Sequence, residues 1–308
     1  MARSPEELRT GLKGMFAFPV TPFTDDNQVD IPRYREFLAQ LIEARPAALF
    51  VCGGTGEFVS LDLEEYRALV KAAVAEAAGR LPVIAGAGYG VKIAMQFAQA
   101  AEAAGADGVL VLPPYLLHPE QDGLLAHYRA IAQATHLGLI VYQRDNAVFT
   151  PATAERLTEI PNLIGFKDGY GDMERLTRIR LAVGDRFTFM NGMPTAELSA
   201  LAFHGLGISS YSSAVFNFAS QISHAFFRAL TASDFKSIRH LVETFYRPLA
   251  ELRERKKGYA ISLIKAGVNL RWKRVGTVRP PLVYPSASEQ AQLKAIIEKG
   301  LAALGTAG

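Results

Sequence analysis

Short apolar runs alternate with helix-spaced segments through roughly the first three quarters of the chain, and that alternation limits the fold more than any other feature. The runs fall at 14–18, 47–52, 82–86, 107–112, 138–142, 162–167, 187–191 and 206–210. The run at 47–52 has no polar alternation at all, as a parallel strand covered on both faces requires. Between and after the runs, the segments 31–44, 63–78, 91–104, 121–134, 152–158, 173–182, 195–203 and 216–230 carry helical spacing, and Asp30 with Pro32 marks one helix start. Eight strand–helix pairs in about 230 residues match a closed (β/α)8 TIM barrel in number and length. An open doubly wound sheet fits less well, because no Gly-x-Gly-x-x-Gly turn follows the first run.

Beyond residue 230 the pattern changes. The segments 234–253, 259–271 and 288–304 read as helices with no strands between them and no linker before them. The expectation is a catalytic barrel over 1–230 carrying a C-terminal helical appendage over 231–308. A composition of 49% hydrophobic and 20% charged residues supplies a large core. A net charge of +3 gives no ground for a nucleic-acid partner, and the densest basic run, Arg253-Glu254-Arg255-Lys256-Lys257, reads as a solvated helix face. A lone cysteine, Cys52, rules out an internal disulfide and fits a reducing compartment. Residues 1–7 lack a signal peptide's apolar core and no apolar run is long enough to span a membrane. These features predict a soluble, cytoplasmic protein.

In such a barrel, residues at the C-terminal ends of the strands face one shared mouth. The run 162–167 ends on Lys167, and a lysine closing a buried strand must lose hydration or find a partner. Desolvation lowers an amine's pKa and makes it a nucleophile toward carbonyl carbon; pairing with Asp168, or escape to solvent, is the plainer alternative. The same mouth should collect Gly53-Gly54-Thr55-Gly56-Glu57, Tyr142-Gln143-Arg144, Asn191-Gly192, Ser209-Ser210 and Tyr211-Ser212-Ser213. The glycine loop is either a tight turn or an amide nest for a carboxylate; it is no phosphate loop, since no Gly-Lys-Ser/Thr follows. Glu57 is expected to favour the positive end of the next helix. Tyr142 fits either a core position or a proton donor, and the serines either a turn or a polar rim. Six histidines show no paired ligand spacing, so no metal site is expected.

Taken together, Gly53-Gly54-Thr55-Gly56-Glu57, Tyr142 and Gly165-Phe166-Lys167-Asp168 resemble the dihydrodipicolinate synthase / N-acetylneuraminate lyase superfamily, from Gly14 to the C-terminal helices. That resemblance implies a Schiff-base (β/α)8 enzyme needing neither metal nor organic cofactor. It implies Lys167 as the imine-forming lysine, Tyr142 as the proton relay, and Gly54 with Thr55 as the grip on the substrate's α-carboxylate. It also implies a homotetramer. Gly54 stands where the synthase usually has a threonine, and Leu116, in Pro114-Tyr115-Leu116, stands where the synthase lends a tyrosine to a neighbouring subunit.

Gly-Gly-Thr-Gly-Glu-Phe, Tyr-Gln-Arg, Phe-Lys-Asp-Gly and Arg279-Pro280-Pro281-Leu282 in combination resemble the 5-dehydro-4-deoxyglucarate dehydratase branch. Its members act on a six-carbon keto-diacid and release water and carbon dioxide. For the second carboxylate, Asn191, Ser209 and Ser212 are the candidate contacts, with Arg144 ranked behind them, and Gly192 is a further substrate-binding candidate. The competing expectations are a 2-keto-3-deoxy sugar-acid aldolase, a condensing enzyme like dihydrodipicolinate synthase, and a catalytically silent sugar-acid sensor.

Overall fold

The computed structural model describes residues 2–305. Eight parallel strands close into a barrel in chain order: β1 (Met15–Ala17), β2 (Ala48–Val51), β3 (Val83–Ala87), β4 (Gly108–Val111), β5 (Gly138–Gln143), β6 (Leu163–Asp168), β7 (Thr188–Asn191) and β8 (Tyr211–Ser213). β8 pairs with β1 through Met15↔Tyr211, Phe16↔Ser212 and Ala17↔Ser213, which completes the ring. Preceding the barrel is α1 (Pro5–Gly11); α2 (Ile31–Glu43), α3 (Leu63–Ala77), α4 (Val91–Ala103) and α5 (Gln121–Gln133) surround its first half. α6 (Pro151–Leu157), α7 (Met173–Val183), α8 (Ala200–Gly205) and α9 (Phe216–Thr231) surround the second. Side-chain caps start many of these helices, with Asp30, Asp62, Thr150 and Asp172 each accepting from a backbone N–H of the first turn.

Two departures from the sequence expectation have clear causes. The helix α1 was not foreseen; a Ser4–Glu7 capping box and Pro5 start it, and its Leu8 reaches under the barrel toward Gly108 and Gly138. The eighth strand lies at 211–213 rather than 206–210. Residues 206–208 instead close α8. Gly207 has φ +75°, its N–H bonds to His204 O, and Ile208 N–H bonds to Phe203 O, with Ile208 buried. Those paired bonds form a Schellman cap, whose apolar contact imitates a strand in the sequence.

The C-terminal region comprises α10 (Phe235–Leu241), a π-helical turn (Val242–Tyr246), α11 (Arg247–Glu254), α12 (Tyr259–Arg271) and α13 (Ala287–Ala303). Pro248 has no N–H to donate into the preceding turn, and the helix widens there into its π segment. α12 and α13 both pack against α9, so these helices lie on the barrel. Among the described residues no helix is long and apolar enough to cross a membrane.

Candidate active site

A cavity of about 400 Å³ opens at the C-terminal ends of the strands and includes Lys167, Tyr142, Gly54, Thr55, Arg144, Gly192 and Ser212 in its lining. Tyr142 and Lys167 are register partners on β5 and β6, so both side chains enter the barrel from neighbouring strands. Lys167 is 4% exposed. Its Nζ lies 4.0 Å from the centroid of the Tyr142 ring and 4.4 Å from that of Phe18. Among the described residues no carboxylate pairs with it. Asp168 turns to the opposite face of β6, where it accepts from Gln143 Nε2 at 2.6 Å and from Gly171 N at 3.0 Å. The Lys167–Asp168 pair allowed by the sequence therefore does not form. Burial, and next the positive charge of Arg144, lower the Lys167 pKa from 10.5 to about 7.

Tyr142 completes this end of the cavity. Its hydroxyl donates to Gly192 O at 3.0 Å and accepts from Arg144 Nη1 at 3.0 Å. Burial raises its pKa and the Arg144 charge partly opposes that, so the group stays a phenol with a proton to give. Position 192 must be glycine for this packing. A Cβ there would lie 2.7 Å from Lys167 Cγ and 3.0 Å from the Tyr142 ring.

Beside the lysine, the turn after β2 is shaped by two left-handed residues, Cys52 (φ 49°) and Glu57 (φ 57°). Glu57 does not serve the next helix, as expected from sequence. The left-handed turn carries its carboxylate inward, where Oε1 lies 2.7 Å from Lys265 Nζ of α12 with both side chains fully buried. Glu57 Oε2 also accepts from the Arg279 backbone N–H at 2.9 Å. Lys265 Nζ donates in turn to Thr277 O at 2.7 Å, and burial lowers its pKa to about 8 although Glu57 opposes the shift. The C-terminal helices thereby hold the turn that presents Gly54 and Thr55.

Two expected site residues lie elsewhere. Ser209 sits at the opposite end of the barrel, beside Arg9 and Lys13, with its hydroxyl 2.9 Å from His204 Nδ1. It belongs to the turn before β8, so moving the strand moved the residue. Asn191 ends β7 but is 1% exposed and does not line the cavity; its side chain donates to Ala196 O and Ser199 Oγ and accepts from Met193 N. It shapes the loop after β7. Conversely, Phe18, Thr195, Glu197 and Arg253 line the cavity without having been foreseen. Phe18 ends the first apolar run and directly follows β1, a strand-end placement that the barrel count could have flagged; the other three carry no local signal. Leu116 is 97% exposed and lines no part of this cavity, whereas its neighbour Tyr115 does.

The chain matches the dihydrodipicolinate synthetase family over residues 11–300. It is 52% identical over 296 residues to a Streptomyces griseus subsp. griseus protein named "Probable 5-dehydro-4-deoxyglucarate dehydratase", covering 94% of this chain and 92% of that one. A Bradyrhizobium diazoefficiens protein of the same name is 47% identical over 298 residues, covering 96% and 95%. Among solved structures, dihydrodipicolinate synthase from Bacillus clausii superposes with a TM-score of 0.87 at 26% identity, over 94% of this chain and 98% of that one. The E. coli K12 prophage protein YagE, solved in complex with pyruvate, superposes with a TM-score of 0.83 at 26% identity, again over 94% and 98%. From its residue pattern, its closed barrel and these relatives, the chain belongs to the dihydrodipicolinate synthetase family.

Proposed function

We propose that the protein is a Schiff-base lyase that dehydrates and decarboxylates 5-dehydro-4-deoxy-D-glucarate to 2,5-dioxopentanoate, water and carbon dioxide. The observation that carries this reading is Lys167, a buried amine with no acidic partner among the described residues, whose pKa of about 7 leaves much of it neutral near neutral pH. Relatives near 50% identity named for that dehydratase support the choice of reaction. A small keto-diacid as substrate, a cytoplasmic location and an assembly of identical chains complete the reading. Apolar side chains exposed together in sequence, Tyr115, Leu116 and Leu117, support the last.

Lys167 attacks the C5 ketone while the Gly54 and Thr55 turn holds the C6 carboxylate. Loss of water gives an iminium, which acidifies C4, and removal of a C4 proton leaves an enamine. The enamine expels the C3 hydroxyl, which departs as water with a proton from Tyr142. Arg144 favours that transfer, because its charge stabilises the phenolate left behind. The iminium is now conjugated through C4 and C3. When the C1–C2 bond breaks, carbon dioxide leaves and its electron pair runs along the conjugated chain to nitrogen. Protonation at C4 and ketonisation of the C2–C3 enol with a proton at C3 follow, and hydrolysis frees Lys167. The lysine itself supplies the electron sink.

The test is product analysis after incubation with 5-dehydro-4-deoxyglucarate in deuterium oxide. The account requires 2,5-dioxopentanoate with solvent deuterium at C3 and C4 and none at the aldehyde carbon, which keeps its substrate hydrogen. Pyruvate with an aldehyde fragment would instead identify an aldolase.

A further inference from the structure

The cavity extends well past the imine end. From residue 249 onward its lining is Leu, Ile, Ala and Gly, with Arg253 of α11 the one charged exception. Arg253 departs from the solvated face expected for its basic run. Its side chain is 18% exposed, whereas Arg255, Lys256 and Lys257 remain exposed. Its Nη1 donates to Thr195 Oγ1 and its Nη2 to Glu254 Oε1 at 2.8 Å. A guanidinium has five N–H donors, and the rest of this one's have no acceptor among the described residues. Thr195, also in the lining, has φ 51° and ψ 66°, a left-handed conformation a β-branched residue adopts only when its surroundings impose it.

Of the other charged groups in the lining, Arg144 serves the Tyr142 hydroxyl and lies 3.5 Å from the Asp145 carboxylate. Glu197 Oε1 accepts from Ser213 Oγ at 2.7 Å while its buried Oε2 has no hydrogen-bond partner among the described residues, and as an acid it offers no cation to a carboxylate. An Arg–Thr pair with unused donors, set in an otherwise apolar wall, matches a carboxylate in charge and in its planar two-oxygen geometry.

We infer that Arg253, held by Thr195, seats the carboxylate of the keto-diacid that lies farthest from Lys167, making a C-terminal helix part of the substrate site. The inference rests on the reaction proposed above and names its specificity residue. A two-point hold also fixes the plane of that carboxylate, and with it the angle between the breaking C1–C2 bond and the conjugated iminium.

The test compares wild type, Arg253→Lys and Arg253→Met in two assays: KM for 5-dehydro-4-deoxyglucarate, and borohydride trapping of pyruvate on Lys167. Loss of a charge-assisted pair should raise the keto-diacid KM about 10- to 100-fold in Arg253→Met. Arg253→Lys should fall between the two, and pyruvate, having no second carboxylate, should be trapped as in wild type. An unchanged keto-diacid KM in Arg253→Met overturns the inference, and so does an equal loss of pyruvate trapping, which would mark Arg253 as a folding residue. If wild type makes no product from the keto-diacid, both the reaction and this inference fall.

Discussion

Lys167 Nζ lies 4.0 Å from the ring of Tyr142, its register partner, and among the described residues no carboxylate pairs with that amine. Ring faces compensate an ammonium less well than the water it has lost. The folded amine therefore titrates near 7, while the unfolded chain's lysine titrates near 10.5. Between those values the unfolded state binds more protons, so this group makes wild-type stability rise with pH. Lys167→Met should abolish turnover yet be more stable than wild type at pH 7, by on the order of 4 kcal/mol. The gap should close as pH approaches 10.5, and urea denaturation at several pH values measures it. A variant less stable than wild type at pH 7 would mean that the ammonium is well solvated in the fold.

The same group sets the acid side of the pH–rate profile. Only the neutral amine attacks the ketone, so kcat/KM should fall below a pKa near 7. Arg144 is the second cause of the depression, after burial, and Arg144→Gln should move that limb to higher pH. Its removal also takes a donor from the Tyr142 hydroxyl, so kcat should fall about 10-fold or more. A limb that stays in place would separate Arg144 from the amine's titration.

Much of this site could be read from sequence because the apolar runs of the buried strands are unmistakable; Lys167 and Tyr142 lie at the ends of two such strands, and the Gly53–Glu57 turn follows a third. Position at a strand end then brings them to one mouth. Ser209 failed for the opposite reason: Leu206 and Ile208 are apolar because they cap α8, and a helix cap and a short strand look alike at that length. Arg253 and Lys265 were invisible as site-builders because their partners, Thr195 and Glu57, lie 58 and 208 residues away along the chain. Local pattern carries no record of such contacts. Glu57 was misjudged because its left-handed backbone, not its sequence neighbours, decides where its carboxylate points.

Gly54 offers a test of substrate size. A Cβ at this position meets no atom within 4 Å, so Gly54→Thr should fold normally. The threonine would occupy space that a bulky keto-diacid needs and pyruvate does not. The KM for the keto-diacid should rise about 10-fold, and the affinity for pyruvate should change far less. Equal effects on the two compounds would show that the position does not discriminate by size.

Lys265→Met probes the hold of α12 on the same turn. It strands the Glu57 carboxylate in the core, which costs about 3 to 5 kcal/mol. Glu57→Gln combined with Lys265→Met removes the stranded charge and should regain part of that loss, as denaturation midpoints would record. A single variant as stable as wild type would mean that Glu57 finds another partner.

The central claim is that Lys167, and no other lysine, forms the imine. Borohydride reduction during turnover of 5-dehydro-4-deoxyglucarate, followed by proteolysis and mass spectrometry, reads this directly. The account predicts one reduced adduct, on the peptide containing Lys167, and none in Lys167→Met. An adduct on Lys265, whose pKa is also lowered, or on Lys92 would contradict it.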